Sequence, residues 1–408
     1  MQKYLFFILF LVPAAMGFAQ SKDSLLMHDI IRDIASMQVS KDGEFYAGMF
    51  PTFRECGGAP HNYQPDNNVF FTAITAFSFR NMLPYLNEGD QPIATQIVQN
   101  IKPVYPYYKN KNNEPFYNFW PTFSPIMPHT YYFKYLKNVF GQGEDADDSV
   151  MILMTDDSSD STAERLKKRL IEASNLFKPS RKIISTYKNY RNIPAYSTYL
   201  GLRMTPDFDF AVHCNILYFM YQKKLLWGKQ DSATLSLVEQ MVHNRDYMKT
   251  PVFLSPYYVK STILIYHLAR LMGAFHIPEL EKYKPQIIAD AKSLLPQCTN
   301  IMDQIILRTS LLRLGDDAPP LDIPSISAFE QSNQQQYVFF QARAAFSYPV
   351  LLKQIFLHWS YIYYYFYCPA YNKTLWLEYL VERNKRDQVL KMGKQASVST
   401  EKNDSIGE

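Results

Sequence analysis

The chain has 408 residues, with 42 Lys+Arg against 38 Asp+Glu, 47% hydrophobic and 15% aromatic content, and only 14 glycines beside 25 prolines. It is too apolar and aromatic to be disordered, and too poor in glycine for a doubly wound nucleotide fold or a β-sandwich with a turn every ten residues. The net charge of +4 is spread along the sequence rather than gathered in a stripe, so nucleic-acid binding is not indicated.

At the N-terminus, Lys3 precedes an apolar run from Tyr4 to Pro13 and small residues at Gly17 and Ala19. That is the layout of a cleavable secretory signal over 1–19, with the mature chain starting near Gln20. The run is shorter than the roughly 20 residues a membrane span needs. A soluble exported protein, periplasmic or secreted, follows as the expectation. Cys56, Cys214, Cys298 and Cys368 have no C-x-x-C spacing, which argues against a zinc or redox motif and leaves room for one disulfide or none.

A 3.6-residue period predicts helices over 24–38, 66–87, 90–104, 130–139, 147–155, 161–177, 209–227, 231–246, 256–273, 278–295, 299–314, 335–346, 348–367 and 372–392. Ser161 with Glu164 reads as a capping box, Ser255-Pro256 as a helix start, and Gly228, Gly273 and Gly315 as C-terminal caps. Strongly apolar helices begin at 209, 256 and 299, roughly 45 residues apart, with amphipathic ones between them, which is the signature of stacked helical hairpins. The expected fold is therefore all-α, an (α/α)6 toroid or barrel of helical hairpins, in one domain over 20–394 with a loose polar tail over 395–408. The aromatic segment Gln354–Cys368 is read as a core helix.

Three acidic motifs stand at predicted inner-helix starts: Asp66 in Pro65-Asp66-Asn67-Asn68, Asp145-Ala146-Asp147-Asp148, and Pro206-Asp207-Phe208-Asp209. Capping explains one acid at each, because a helix N-terminus presents unpaired N–H groups and a partial positive charge. It does not call for three acids in four positions, since crowded carboxylates repel and raise one another's pKa. On the helix opened by Asp209, His213 falls one turn on and Asn215 follows, so that Asp209 and His213 share a face. Trp120, within Tyr117-Asn118-Phe119-Trp120-Pro121 and the loop to His129, is placed to add an aromatic wall. Asp156-Asp157-Ser158-Ser159-Asp160 reads as a solvated turn. A calcium loop starting at Asp145 fails, because its sixth position is Val150 and its twelfth Asp156. Nothing calls for a metal or a cofactor.

Asp145-Ala146-Asp147-Asp148 matches the D-x-D-D motif of class II terpenoid cyclases, and the helical hairpins resemble the terpenoid cyclase and protein prenyltransferase toroid. The stretch Asp207–Leu217 also resembles toroid proteins of that superfamily. The resemblance implies that Asp147 is the general acid for cyclising or isomerising an isoprenoid-like substrate, with Asp145 and Asp148 tuning it. Asp66, Trp120, Asp207, Asp209, His213 and Asn215 are the expected substrate-facing residues. Two alternatives stand beside it. One is a glycan-active or glycan-binding envelope protein with Asp147 as acid and Asp207 or Asp209 as base or nucleophile. The other is a non-enzymatic envelope protein whose acids are caps. The expected partner is a small-molecule lipid or glycan, with no stable membrane span and a monomeric state.

Overall fold

The computed structural model describes residues 22–123, 143–201, 205–333, 337–343, 350–356, 359, 361 and 363–404. The signal-peptide region, the helix expected over 130–139 and His129 lie outside them.

Apolar runs with marked ends become helices: α1 (Lys22–Met37), α2 (Phe70–Met82), α3 (Gln91–Ile101), α4 (Ala146–Thr155), α5 (Asp160–Ala173), α6 (Phe210–Gln222), α7 (Lys229–His243), α8 (Ser261–Ala274), α9 (Lys284–Leu294), α10 (Ile301–Arg313) and α11 (Pro369–Asp404). Helices α2, α4, α6 and α8 are buried along nearly their whole length, as residues apolar on every side require. Each packs on the next of this set; α8 continues onto α10, α10 onto α11, and α11 returns to α2, so this helical layer closes on itself. The amphipathic helices α1, α3, α5, α7 and α9 cover it from outside. One hydrophobic cluster runs from Met27 to Val381.

The expectation of an all-α toroid is overturned by two antiparallel sheets. The larger has strand order β2-β1-β6-β5, with β1 Phe53–Cys56, β2 Ala59–Pro65, β5 Phe340–Arg343 and β6 Tyr363–Tyr367. The smaller pairs β3 (Tyr117–Asn118) with β4 (Glu144–Asp145). The fold is thus mixed helix and sheet. The error has a local cause: a short continuous apolar run reads equally as a buried strand or a buried helix, and Tyr363–Tyr367 is such a run, made of strand-favouring aromatics. Among the described residues of the predicted 348–367 helix, Val350–Phe356 is α-helical and Tyr363–Tyr367 is a strand, and the 335–346 segment supplies β5. In the Phe53–Pro65 hairpin, the Gly57-Gly58 pair makes the turn between strands.

Several end signals also shift. Gly315 does follow α10 with a left-handed φ of 77°, as a C-terminal cap requires. Gly228 instead begins α7, its N–H donating to Asp231 at 2.7 Å, and Gly273 lies inside α8 against Arg313. The residue before α5 is Ser159, so Ser161 sits in the first turn and caps nothing. Helix α8 starts at Ser261, five residues beyond the expected Pro256. The last helix continues to Asp404, beyond 395. All four cysteines are free thiols. Among the described residues, no helix is long and apolar enough to cross a membrane.

Candidate functional site

Two short backbone pairings fix the start of α4. Strand β4 is bonded to Tyr117–Asn118 on one side and bridges through Asp145 to Tyr199 on the other. Asp145 is left extended at the helix N-cap, where its carboxylate accepts the Asp147 N–H at 2.7 Å. Ala146, Asp147 and Asp148 then form the first turn, buried although two of them are acids.

Asp147 is the best-connected of the three. Its Oδ1 accepts from Asn215 Nδ2 at 2.6 Å, and Tyr258 donates its hydroxyl to Oδ2. Asn215 in turn accepts from Arg270, and His267 Nδ1 lies 3.0 Å from both Asn215 Oδ1 and Arg270 Nη2. The chain Tyr258–Asp147–Asn215–Arg270 therefore ties α4, α6 and α8 together through side chains alone. Burial raises the Asp147 carboxyl above its ordinary range, against the lowering effect of the Tyr258 and Asn215 hydrogen bonds and of Arg270.

Asp148 is the opposite case. It is 1% exposed, and neither carboxyl oxygen has a hydrogen-bond partner. Burial, with Asp145 and Asp147 beside it, holds its carboxyl well above the usual range. Asp145, half-buried, is pushed up to about 8 by burial and by the charge of Asp147, although backbone N–H groups partly oppose this. An unpaired carboxylate in such a place is costly as an anion, so the group holds protons near neutral pH.

Asp209 joins from the neighbouring helix. It is the N-cap of α6, accepting from Ala211 and Val212 N–H at 2.9 and 3.2 Å. The segment before α8 also reaches it, through Ser255 Oγ at 2.5 Å and the Tyr257 N–H at 3.1 Å. Burial raises it to about 7, and Asp147 adds to the rise. The residues expected to start α8 thus serve this carboxylate instead.

The other expected site residues have different company. Asp66 accepts from Arg54 Nη1 at 2.8 Å and from Trp120 Nε1 at 3.0 and 3.1 Å, in a separate and fully paired group with Asn68. Asp207 accepts from Ser185 Oγ at 2.6 Å and from its neighbour's N–H. His213 does not pair with the Asp209 carboxylate: Nε2 lies 2.8 Å from the Tyr196 carbonyl, Nδ1 is buried without a partner, and burial lowers the ring to about 4. Asp145, Asp147, Asp148, Asp209 and Asn215 therefore form one group, while Asp66 with Trp120, Asp207 and His213 stand outside its hydrogen bonds.

Sequence reasoning missed Tyr258, His267 and Arg270. Arg270 carries a legible signal, a lone cation within the apolar run Ser261–Ala274, because an arginine on an all-buried helix must be paired inside. The Tyr258 ring packs against Phe70, Phe339, Phe340 and His267, with centroids 4.8 to 6.2 Å apart, so the acids are backed by aromatic faces. Asp156–Asp160 behaves as a solvated turn, with Asp157 exposed and paired to Arg80 and Lys102. Among the described residues, no group of three or more His, Cys, Asp or Glu is disposed to hold a metal ion. No protein-family model matches the chain, and no curated protein aligns with it.

Proposed function

We propose that this protein is an enzyme of general acid chemistry, in which Asp147 protonates an apolar, isoprenoid-like substrate that is then isomerised or cyclised. The observation that carries the reading is Asp148, a buried carboxyl with neither oxygen bonded, wedged beside Asp145 and Asp147. A cluster built this way keeps protons on its acids at neutral pH, which is what a proton donor to a weak base needs. Tyr258 and Asn215 hold the Asp147 carboxyl in one orientation. Proton transfer to an alkene forms a C–H bond and leaves a carbocation and an ionised Asp147. Loss of a proton elsewhere on the substrate closes the cycle with no net change in mass. The aromatic faces around Tyr258 suit the cation stage.

A purely structural reading has its own observation, since Asp145 and Asp209 both cap helices. The two separate on one experiment. The protein is incubated with prenyl alcohols and epoxides and, in parallel, with oligosaccharides, and products are followed by mass and NMR. The expected result is a prenyl product of unchanged mass, with the rate falling by about 10²-fold or more in Asp147→Asn while Tm stays near wild type. Release of reducing sugar instead assigns the glycan reading. No turnover of either substrate class, with a large loss of Tm in Asp147→Asn, assigns the structural one.

A further inference from the structure

The last turns of α2, α6, α8 and α10, together with the middle of α11, surround a cavity of about 420 Å³ at the end of the helical layer away from the carboxylates. Its lining brings together Arg270, Arg313, Lys385 and Arg386, with Glu382 as the acid among them. Most of this charge is answered within the protein. Arg313 Nη2 meets Glu378 at 2.5 Å and its Nε meets Glu382 at 3.4 Å; Lys385 meets Glu382 at 2.8 Å, and Arg386 meets Asp317 at 2.8 Å.

Arg270 makes no close ion pair among the described residues, although the charge of Glu378 acts on it. It is 4% exposed, yet its hydrogen bonds go to the neutral Asn215 and His267, and its guanidinium lies over the rings of Phe77 and Tyr266 at 5.1 and 5.4 Å. Nη1 of Arg270 and Nη1 of Arg313 are both buried without a hydrogen-bond partner. Helix C-termini attract cations, which accounts for basic residues here. It does not account for two guanidinium nitrogens that leave the terminal carbonyls unused. A buried cationic donor without an acceptor is expensive, and the two residues that carry these nitrogens, Arg270 and Arg313, both line the hollow, where a planar guanidinium fork matches the paired oxygens of a carboxylate or phosphate.

We propose that this cavity is a binding site for a small organic oxyanion, a carboxylate or phosphate monoester, gripped by Arg270 and Arg313. Lys385 and Arg386 attract it from the rim, and Tyr218 and Leu312 face its organic part. The site is independent of the acid chemistry proposed above, although Arg270 serves both ends of the molecule through Asn215.

Isothermal titration of the full chain with inorganic phosphate, phenyl phosphate and benzoate, at ionic strength fixed with sodium chloride, tests the site. The expected result is saturable binding of phenyl phosphate or benzoate, with the preferred one naming the head group. Affinity should fall about tenfold or more in Arg270→Lys, which keeps the charge but loses the fork. It should fall a few-fold in Arg386→Gln, a rim change that spares the core, and weaken as salt rises. Absence of saturable binding by all three anions overturns the proposal, as does binding left intact by both substitutions. If Arg270→Lys does not fold by circular dichroism, the double variant Lys385→Gln/Arg386→Gln decides between the same two outcomes.

Discussion

Asp66 and Asp148 are both buried aspartates beside helix starts, and they stand at opposite extremes of compensation. Asp66 accepts from Arg54, Trp120 and Asn68, so its charge and its lone pairs are answered. Asp148 has no hydrogen bond to either oxygen and two further carboxyls for neighbours. A carboxylate of the first kind holds a fold together, and removing it exposes a cost in its partners. One of the second kind is itself the cost, kept in place by everything around it. Burial alone therefore does not say whether a carboxylate is compensated; its hydrogen-bond partners do.

The comparison breaks most visibly at Asp66. Removing one member of a buried pair leaves the other charge without its carboxylate, so Asp66→Ala should lose about 3–5 kcal/mol by urea unfolding through loss of the Arg54 ion pair. A loss below about 1 kcal/mol would mean that the Arg54–Trp120 group is as dispensable as an exposed ion pair, and the contrast with Asp148 would fail. Asp209 lies between the two cases, being a cap that is also raised by burial. Asp209→Ala frees the Ala211 and Val212 N–H groups and should cost about 1–2 kcal/mol in the same measurement.

How far this contrast can be seen in the sequence depends on the length scale of the signal. The capping roles of Asp145 and Asp209 are legible because a cap acts within three residues of itself. Most helices are legible for the same reason, their apolar period being local. The partners are not. Asp147 meets Asn215 and Tyr258 across separations of 68 and 111 residues, and Asp66 meets Trp120 across 54, so nothing near each acid says which will be paired. The strands fail differently: Tyr363–Tyr367 carries its sheet pairing in the remote segments Phe53–Cys56 and Phe340–Arg343, and its own apolar run fits either structure.

The acid group also leaves a mark on the pH dependence of stability, with a sign opposite to the usual one for carboxylates. Asp145 and Asp209 titrate at about 8 and about 7 in the folded chain, above their unfolded range near roughly 4. Between those values the native state binds more protons than the unfolded one, so stability falls as pH rises through the window and levels off above it. His213 works the other way: held near 4 when folded, it binds its proton preferentially in the unfolded chain, so stability falls as pH drops from roughly 6.5 to 4. The two effects oppose each other in the lower window, which leaves pH 6.5 to 8 as the interval in which the carboxyls act without His213. There, Asp145 should contribute a decline of about 1 kcal/mol after allowance for its partial exposure. Asp148→Asn should flatten the overall decline, because it removes a carboxyl held well above the usual range, which keeps its proton in the folded chain and releases it on unfolding, and should leave Tm at pH 8 equal to or above wild type. Thermal unfolding of the two proteins at pH 6.5 and 8 makes the comparison. Equal slopes would show that Asp148 does not keep its proton in the folded chain across this interval, and a lower Tm in Asp148→Asn would show that the carboxyl has a stabilising partner after all.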